Sequence, residues 1–176
     1  MRFSCRLSAL ERCFVLKIYY QNMVALRLFH STSIQKIDKK GRVSVPAAIR
    51  AVIEEKEKDR AVVFAPSFHG LSCIEGYGSS RIEEIALALD GLNPLSREYD
   101  AFTATMLAQI RVVPFDSEGR IVLHEDIIEI AKLDKEVVFA GMGKKFQIWN
   151  PENYSNHMQE MRKIARENPA LMPWSK

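Results

Sequence analysis

One pattern occurs twice in this chain, and the second copy carries its surroundings with it. Asp38-Lys39-Lys40-Gly41-Arg42-Val43-Ser44-Val45 aligns with Asp116-Ser117-Glu118-Gly119-Arg120-Ile121-Val122-Leu123 at an offset of 78 residues. Ile49 then falls on Ile127. Further on, Val62-Val63-Phe64-Ala65 recurs as Val137-Val138-Phe139-Ala140 at an offset of 75, and at that offset Leu71-Ser72-Cys73-Ile74 is set against Phe146-Gln147-Ile148-Trp149. The three-residue difference lies in the polar connector E-E-K-E-K-D-R, where a change of length costs little. Two motifs repeated in the same order mark a duplicated unit, so any fold must be one small unit built twice.

Each copy reads as strand, turn, strand, short helix, hairpin and longer helix. The runs F-H-S-T-S-I-Q-K-I-D and A-Q-I-R-V-V-P-F-D are β-rich and lead into the turns. Asp38 and Asp116 accept hydrogen bonds from amides two residues on, and Gly41 and Gly119 take positive φ without a Cβ clash, so these four residues shape the loops. Val43 and Val45, like Ile121 and Leu123, alternate inward on the exit strand. Pro46 follows, where proline suits a helix's first turn, and Ile49 and Ile53 carry helical spacing. After the first hairpin, Ser80 with Glu83 predicts a capping box. A helical run from about Arg97 to Leu107 bridges the copies, and Tyr154, Met158, Met161 and Ile164 form a packing stripe on the last helix.

Composition excludes several classes. At 176 residues with 47% hydrophobic side chains, the chain can build a core without disulfides, and three scattered cysteines suggest reduced thiols. No apolar run approaches the length of a membrane span. Residues 1–60 hold thirteen Lys and Arg against six Asp and Glu, whereas residues 61–176 hold twelve against sixteen. A basic first part on a mildly acidic body suits an anionic partner met from one side. Residues 1–25 read as an N-terminal extension, with Met23 a candidate start of the working protein. The four histidines are dispersed and show no zinc spacing, and no P-loop, dinucleotide fingerprint or nucleophile elbow is present. The expectation is a non-enzyme with no metal, no cofactor and no small-molecule substrate.

These residues carry a resemblance. I-D-K-K-G-R-V-S-V-P-A-A-I-R, a second D-x-x-G-R unit beyond a helical bridge, and a V-V-F-A-type hairpin after each resemble the MraZ family of bacterial transcription regulators. More widely, each unit resembles AbrB/MazE-type swapped-hairpin domains. The likeness spans about Leu26 to Arg166. It implies an α+β fold of two interleaved units forming a pseudo-twofold barrel with flanking helices. The expected boundaries are 26–77 and 108–150 for the two units, 78–107 for the bridge, 151–167 for the last helix and 168–176 for a tail. It also implies a ring-shaped homo-oligomer on repeated double-stranded promoter sites of the division and cell-wall gene cluster, acting as a repressor in the cytoplasm at the nucleoid.

The D-x-x-G-R loops are the DNA-facing elements of that family, which makes Arg42 and Arg120 the candidate readers. Lys39, Lys40 and Lys36 are the candidate phosphate contacts. Each arginine has an alternative role, a local salt bridge to Asp38 or Asp116 four residues earlier, and the two roles are compatible. Arg50 reads as a helix-surface charge and Lys144-Lys145 as a solvated hairpin turn. The extension departs from the family pattern, and so does the second loop, where Ser117 and Glu118 replace two lysines. An antitoxin-like protein-interaction module with secondary DNA binding is the other reading.

Overall fold

The computed structural model describes residues 28–54 and 60–171. The expectations for the N-terminal extension and for the last five residues lie outside the described residues. In chain order the elements are β1 (Thr32–Lys36), β2 (Arg42–Ser44), α1 (Ala47–Val52), β3 (Ala61–Pro66), β4 (Cys73–Tyr77) and α2 (Ser79–Leu89). The bridge is α3 (Arg97–Phe102), continued by a π-helical turn over Thr103–Leu107. The second copy follows as β5 (Arg111–Pro114), β6 (Arg120–Val122), α4 (Glu125–Ala131), β7 (Glu136–Gly141), β8 (Phe146–Trp149) and α5 (Pro151–Glu167). The predicted order of elements therefore appears in both copies of an α+β protein.

The copies exchange strands. Six strands form one antiparallel sheet in the order β1-β7-β8-β4-β3-β5, and β2 pairs with β6 in a separate two-stranded ribbon. Thus β1 of the first copy lies against β7 of the second, and β5 of the second lies against β3 of the first. The two hairpins meet along β4 and β8. Neither copy completes its sheet alone.

The core draws matching residues from both copies. Val43 and Ile121, Val45 and Leu123, Ile49 and Ile127, Val62 and Val137, and Phe64 and Phe139 are all buried in one cluster. At its centre Phe146 meets the rings of Phe29, Phe64 and Phe139 at centroid distances of 5.2, 6.1 and 6.0 Å. Burying side chains of this size contributes about 1.5–3 kcal/mol each, so the duplicated apolar pattern supplies most of the drive to fold.

The ladder corrects one alignment made from the sequence. Phe64 pairs with Gly76, but its repeat counterpart Phe139 pairs with Ile148, so the second hairpin turns three residues sooner. The true counterparts of Phe146-Gln147-Ile148-Trp149 are Ile74-Glu75-Gly76-Tyr77, and not Leu71 to Ile74. This register sets Glu75 directly opposite Gln147 where the hairpins meet. Both are buried. In each copy an aromatic two residues on donates to the polar side chain: Tyr77 Oη to Glu75, and Trp149 Nε1 to Gln147 at 3.1 Å. Lys145 Nζ reaches Glu75 Oε1 at 2.6 Å, so this lysine is not the solvated turn residue expected. Burial pushes the Glu75 carboxyl up, but the hydrogen bonds from Lys145 and Tyr77 outweigh it and hold the group below its ordinary value.

The helix starts follow local chemistry with one shift. Helix α2 begins at Ser79 behind Gly78, which places Ser80 inside the helix and not at its cap. Ser96 caps α3 by accepting from the Tyr99 amide at 3.1 Å, and Asn150 caps α5 by accepting from Glu152 N and Asn153 N. Tyr154, Met158 and Met161 on α5 are half-buried, whereas Ile164 lies exposed toward the helix end.

Gly76 has no room for a side chain. A Cβ there would lie 2.2 Å from the nearest atom of the Phe146 ring. Gly76→Ala must displace the ring at the centre of the core, and overpacking of this kind costs about 1–3 kcal/mol. Urea unfolding of the variant should give a lower midpoint with an unchanged slope.

Candidate nucleic-acid interface

The two D-x-x-G-R turns have the same construction. In the first, Asp38 O accepts from Gly41 N at 3.0 Å, and Asp38 N donates to Arg42 O at 2.9 Å. Asp38 Oδ1 accepts from Lys40 N (2.8 Å) and Arg42 N (3.0 Å), and Oδ2 accepts from Arg42 Nε at 2.7 Å. In the second, Asp116 Oδ1 accepts from Glu118 N (2.8 Å) and Arg120 N (2.9 Å), and Oδ2 accepts from Arg120 Nε at 2.7 Å. Gly41 and Gly119 sit at φ +74° and +72°, the left-handed conformation that brings the chain back into a strand. One carboxylate thus ties the turn's amides and fixes the arginine that follows. Both arginines carry the local salt bridge that the spacing allowed.

The exit strands of the two turns pair with each other. Arg42 lies opposite Val122, Val43 opposite Ile121, and Ser44 opposite Arg120. The ribbon is closed reciprocally, with Leu123 N donating to Gly41 O (2.9 Å) and Val45 N to Gly119 O (3.1 Å). Side chains alternate along a strand, so Val43 and Ile121 face the core and are each 1% exposed. Arg42, Ser44, Arg120 and Val122 share the opposite, outer face. The arginines are diagonal neighbours on that face, with Cα atoms roughly 7–8 Å apart. Two residues 78 apart in the chain are therefore brought together on one small surface.

The charges around them are unequal. Lys39 and Lys40 stand exposed at the first tip, and neither makes an ion pair among the described residues. Lys36 ends β1 opposite Glu136, close behind the same turn. Among the described residues, Arg42 is held by Asp38 alone. Arg120 is held by Asp116 and also by Glu118, whose Oε2 lies 2.7 Å from Nη1. The hydrogen bond that Arg120 donates to Asp116, with the negative charges of Asp116, Glu118 and Asp38 of the other turn, raises its already high pKa. The Asp38 carboxyl is lowered to about 2, chiefly by the Arg42 side chain and then by the Arg42 amide. Asp116 is lowered too, first by the Arg120 amide and then by its side chain.

Arg50 was not expected at this place. It donates from Nε to Val45 O at 3.1 Å, and its guanidinium then lies across the second turn. A Cβ on Gly119 would meet Arg50 Nη1 at 2.3 Å. Gly119 is buried beneath it, whereas Gly41 is only half-buried. The position equivalent to Arg50 in the second copy is Ile128, which packs against the core and so places no cation over the first turn.

Comparison with known proteins matches this sequence to one family. A family described as "MraZ protein, putative antitoxin-like" matches residues 106–171. A protein of Rickettsia akari (strain Hartford) named "Transcriptional regulator MraZ" is 37% identical over 142 residues, covering 81% of this chain and 94% of that protein. Proteins of the same name from Pelagibacter ubique (strain HTCC1062) and Rickettsia bellii (strain OSU 85-389) are 38% identical over 149 residues and 39% over 131. These cover 85% and 74% of this chain, and 95% and 86% of the relatives. The chain belongs to the MraZ family.

With the MraZ assignment in hand, two features that the sequence reading missed stand out. Arg50 could have been noticed because a charge occupies a repeat position where the other copy has a core isoleucine. Glu75 and Gln147 could have been noticed as polar residues in matching places of two apolar strands, had the hairpins been aligned with their difference in length. No group of His, Cys, Asp and Glu able to hold a metal occurs among the described residues. Among them, no helix is long and apolar enough to cross a membrane.

The turn chemistry predicts an acid response. A carboxylate whose folded pKa is depressed contributes stability above its unfolded value and loses it as pH falls through the folded value. Asp38 titrates freely near 3.8 and in the turn near 2. The first turn should therefore stay ordered at pH 4 and loosen between about pH 3 and pH 2. Carboxyl-detected NMR titration should place the Asp38 midpoint well below that of an unpaired aspartate. Asp38→Asn should abolish this titration and release the Arg42 side chain, because an amide NH2 replaces the Oδ2 that accepts from it, while Oδ1 can still accept from the Lys40 and Arg42 amides.

Proposed function

We propose that this chain is a sequence-specific DNA-binding regulator of transcription that docks the outer face of the β2–β6 ribbon on duplex DNA. The observation that carries the reading is the placing of Arg42 and Arg120 on one outer ribbon face, with Lys39 and Lys40, which make no ion pair among the described residues, beside them. A two-stranded ribbon fits the major groove, where an arginine fork takes the N7 and O6 of guanine. Lysines at the tip supply the salt-dependent phosphate contacts. The relatives' name, "Transcriptional regulator MraZ", supports the same reading. The exchanged strands support the swapped-hairpin, pseudo-twofold arrangement of AbrB-like domains.

One ribbon reads only a few base pairs, so affinity would come from several protomers on repeated sites. Linked sites raise avidity by about 10²–10⁴. A ring of protomers that represses the division and cell-wall genes from such repeats is the form this reading takes, acting in the cytoplasm at the nucleoid. Arg42→Ala with Arg120→Ala should abolish specific retardation of the DNA upstream of the protein's own gene in a salt-titrated gel shift. Lys39→Ala should weaken binding to all sequences alike and flatten the salt slope by about 0.9. Unchanged specific binding by the double arginine variant would refute the reading. Tight co-purification of a protein partner, with only weak and unspecific DNA binding, would favour the antitoxin-like module.

A further inference from the structure

The two turns share one scaffold but differ at two tip residues, and one of these acts on the neighbouring arginine. Among the described residues Arg42 is gripped on one side: Nε and Nη2 both reach Asp38 Oδ2 at 2.7 Å. Arg120 is gripped on two sides, at Nε by Asp116 and at Nη1 by Glu118, each at 2.7 Å. The Glu118 amide is itself tied to Asp116 Oδ1 at 2.8 Å, which fixes the stem from which its carboxylate reaches. The side chain of Arg120 is the less exposed, 26% against 34% for Arg42. Glu118 is itself 66% exposed, so its charge faces the same solvent as the ribbon.

We propose that Glu118 is an intramolecular competitor for DNA at the second turn and makes the two turns unequal, so that the ribbon has a leading and a trailing end. This role rests on the reading of the ribbon as the DNA-binding face. The fork of Nη1 and Nη2 cannot grip a carboxylate and a phosphate at once, so Arg120 must release Glu118 from Nη1 before it can take DNA with both nitrogens. The freed carboxylate then remains within a Debye length of the phosphates and repels them. The reciprocal ladder otherwise offers DNA two ends of like backbone, the second with Arg50 lying across its glycine. Lys39 and Lys40 attract at one end, and Glu118 restrains at the other. A protomer with this inequality engages an asymmetric half-site in one direction.

The test is a salt-titrated binding series with the full chain and the duplex upstream of its own gene. Glu118→Gln keeps the shape and removes the charge. It should bind about two- to fivefold tighter at low salt, the range expected for giving up one exposed ion pair. Its log-log salt slope should steepen by about 0.9, the signature of one added phosphate contact. Adding Arg120→Ala to Glu118→Gln should cancel both gains. Equal affinity and slope for Glu118→Gln, or a gain that survives loss of Arg120, would overturn the role. If the wild-type chain binds specifically but is indifferent to Glu118, this role alone fails. If the wild-type chain shows no specific binding, the DNA reading fails with it.

Discussion

The structure depends on the two backbone bonds that close the ribbon, Leu123 N to Gly41 O and Val45 N to Gly119 O. Each joins the exit strand of one copy to the turn glycine of the other. Neither strand could stand alone, since each is three residues long. Pairing them turns the inner face of the ribbon into a lid on the core, through Val43, Val45, Ile121 and Leu123, and leaves the arginine face outward. The glycines serve this closure twice. Their positive φ returns the chain to the strand, and their carbonyls accept the crossing bonds.

The same exchange organises the large sheet. Strands β1 and β5 each lie against the other copy's hairpin, and the hairpins meet at Glu75 and Gln147. A buried carboxylate is costly unless it is paired and hydrogen-bonded. Here Ser67, Tyr77, Lys145 and Gln147 all reach it. Lys145 and Gln147 come from the second copy, so the polar group at the centre of the sheet is satisfied only when both copies are in place. The seam therefore opposes any register that would leave Glu75 without its partners.

The duplication favours symmetry, and single residues break it. Arg50 covers Gly119, while its counterpart Ile128 goes to the core. Ser117 and Glu118 stand where the first turn has Lys39 and Lys40. These differences leave the backbone of the turns the same and change what covers it and the charge it presents. A duplicated chain can in this way keep one scaffold under selection for stability while its two tips diverge for binding.

Much of this was legible in the residues. Alternating apolar positions, turn aspartates and glycines, and the repeated V-V-F-A run are local signals, because strand period and turn geometry act over a few residues. They determined the element order, the shape of each turn and the core-facing side chains. The Asp–Arg pairing was also local, since four residues separate the partners. What the tertiary structure alone decided is which strand pairs with which. The β2–β6 ribbon, the seating of Arg42 beside Arg120, Arg50 on the far copy's glycine, and Lys145 on Glu75 all join residues dozens of positions apart. Their physical cause is the exchange of strands between copies, which buries both apolar faces at once, and no local pattern specifies it.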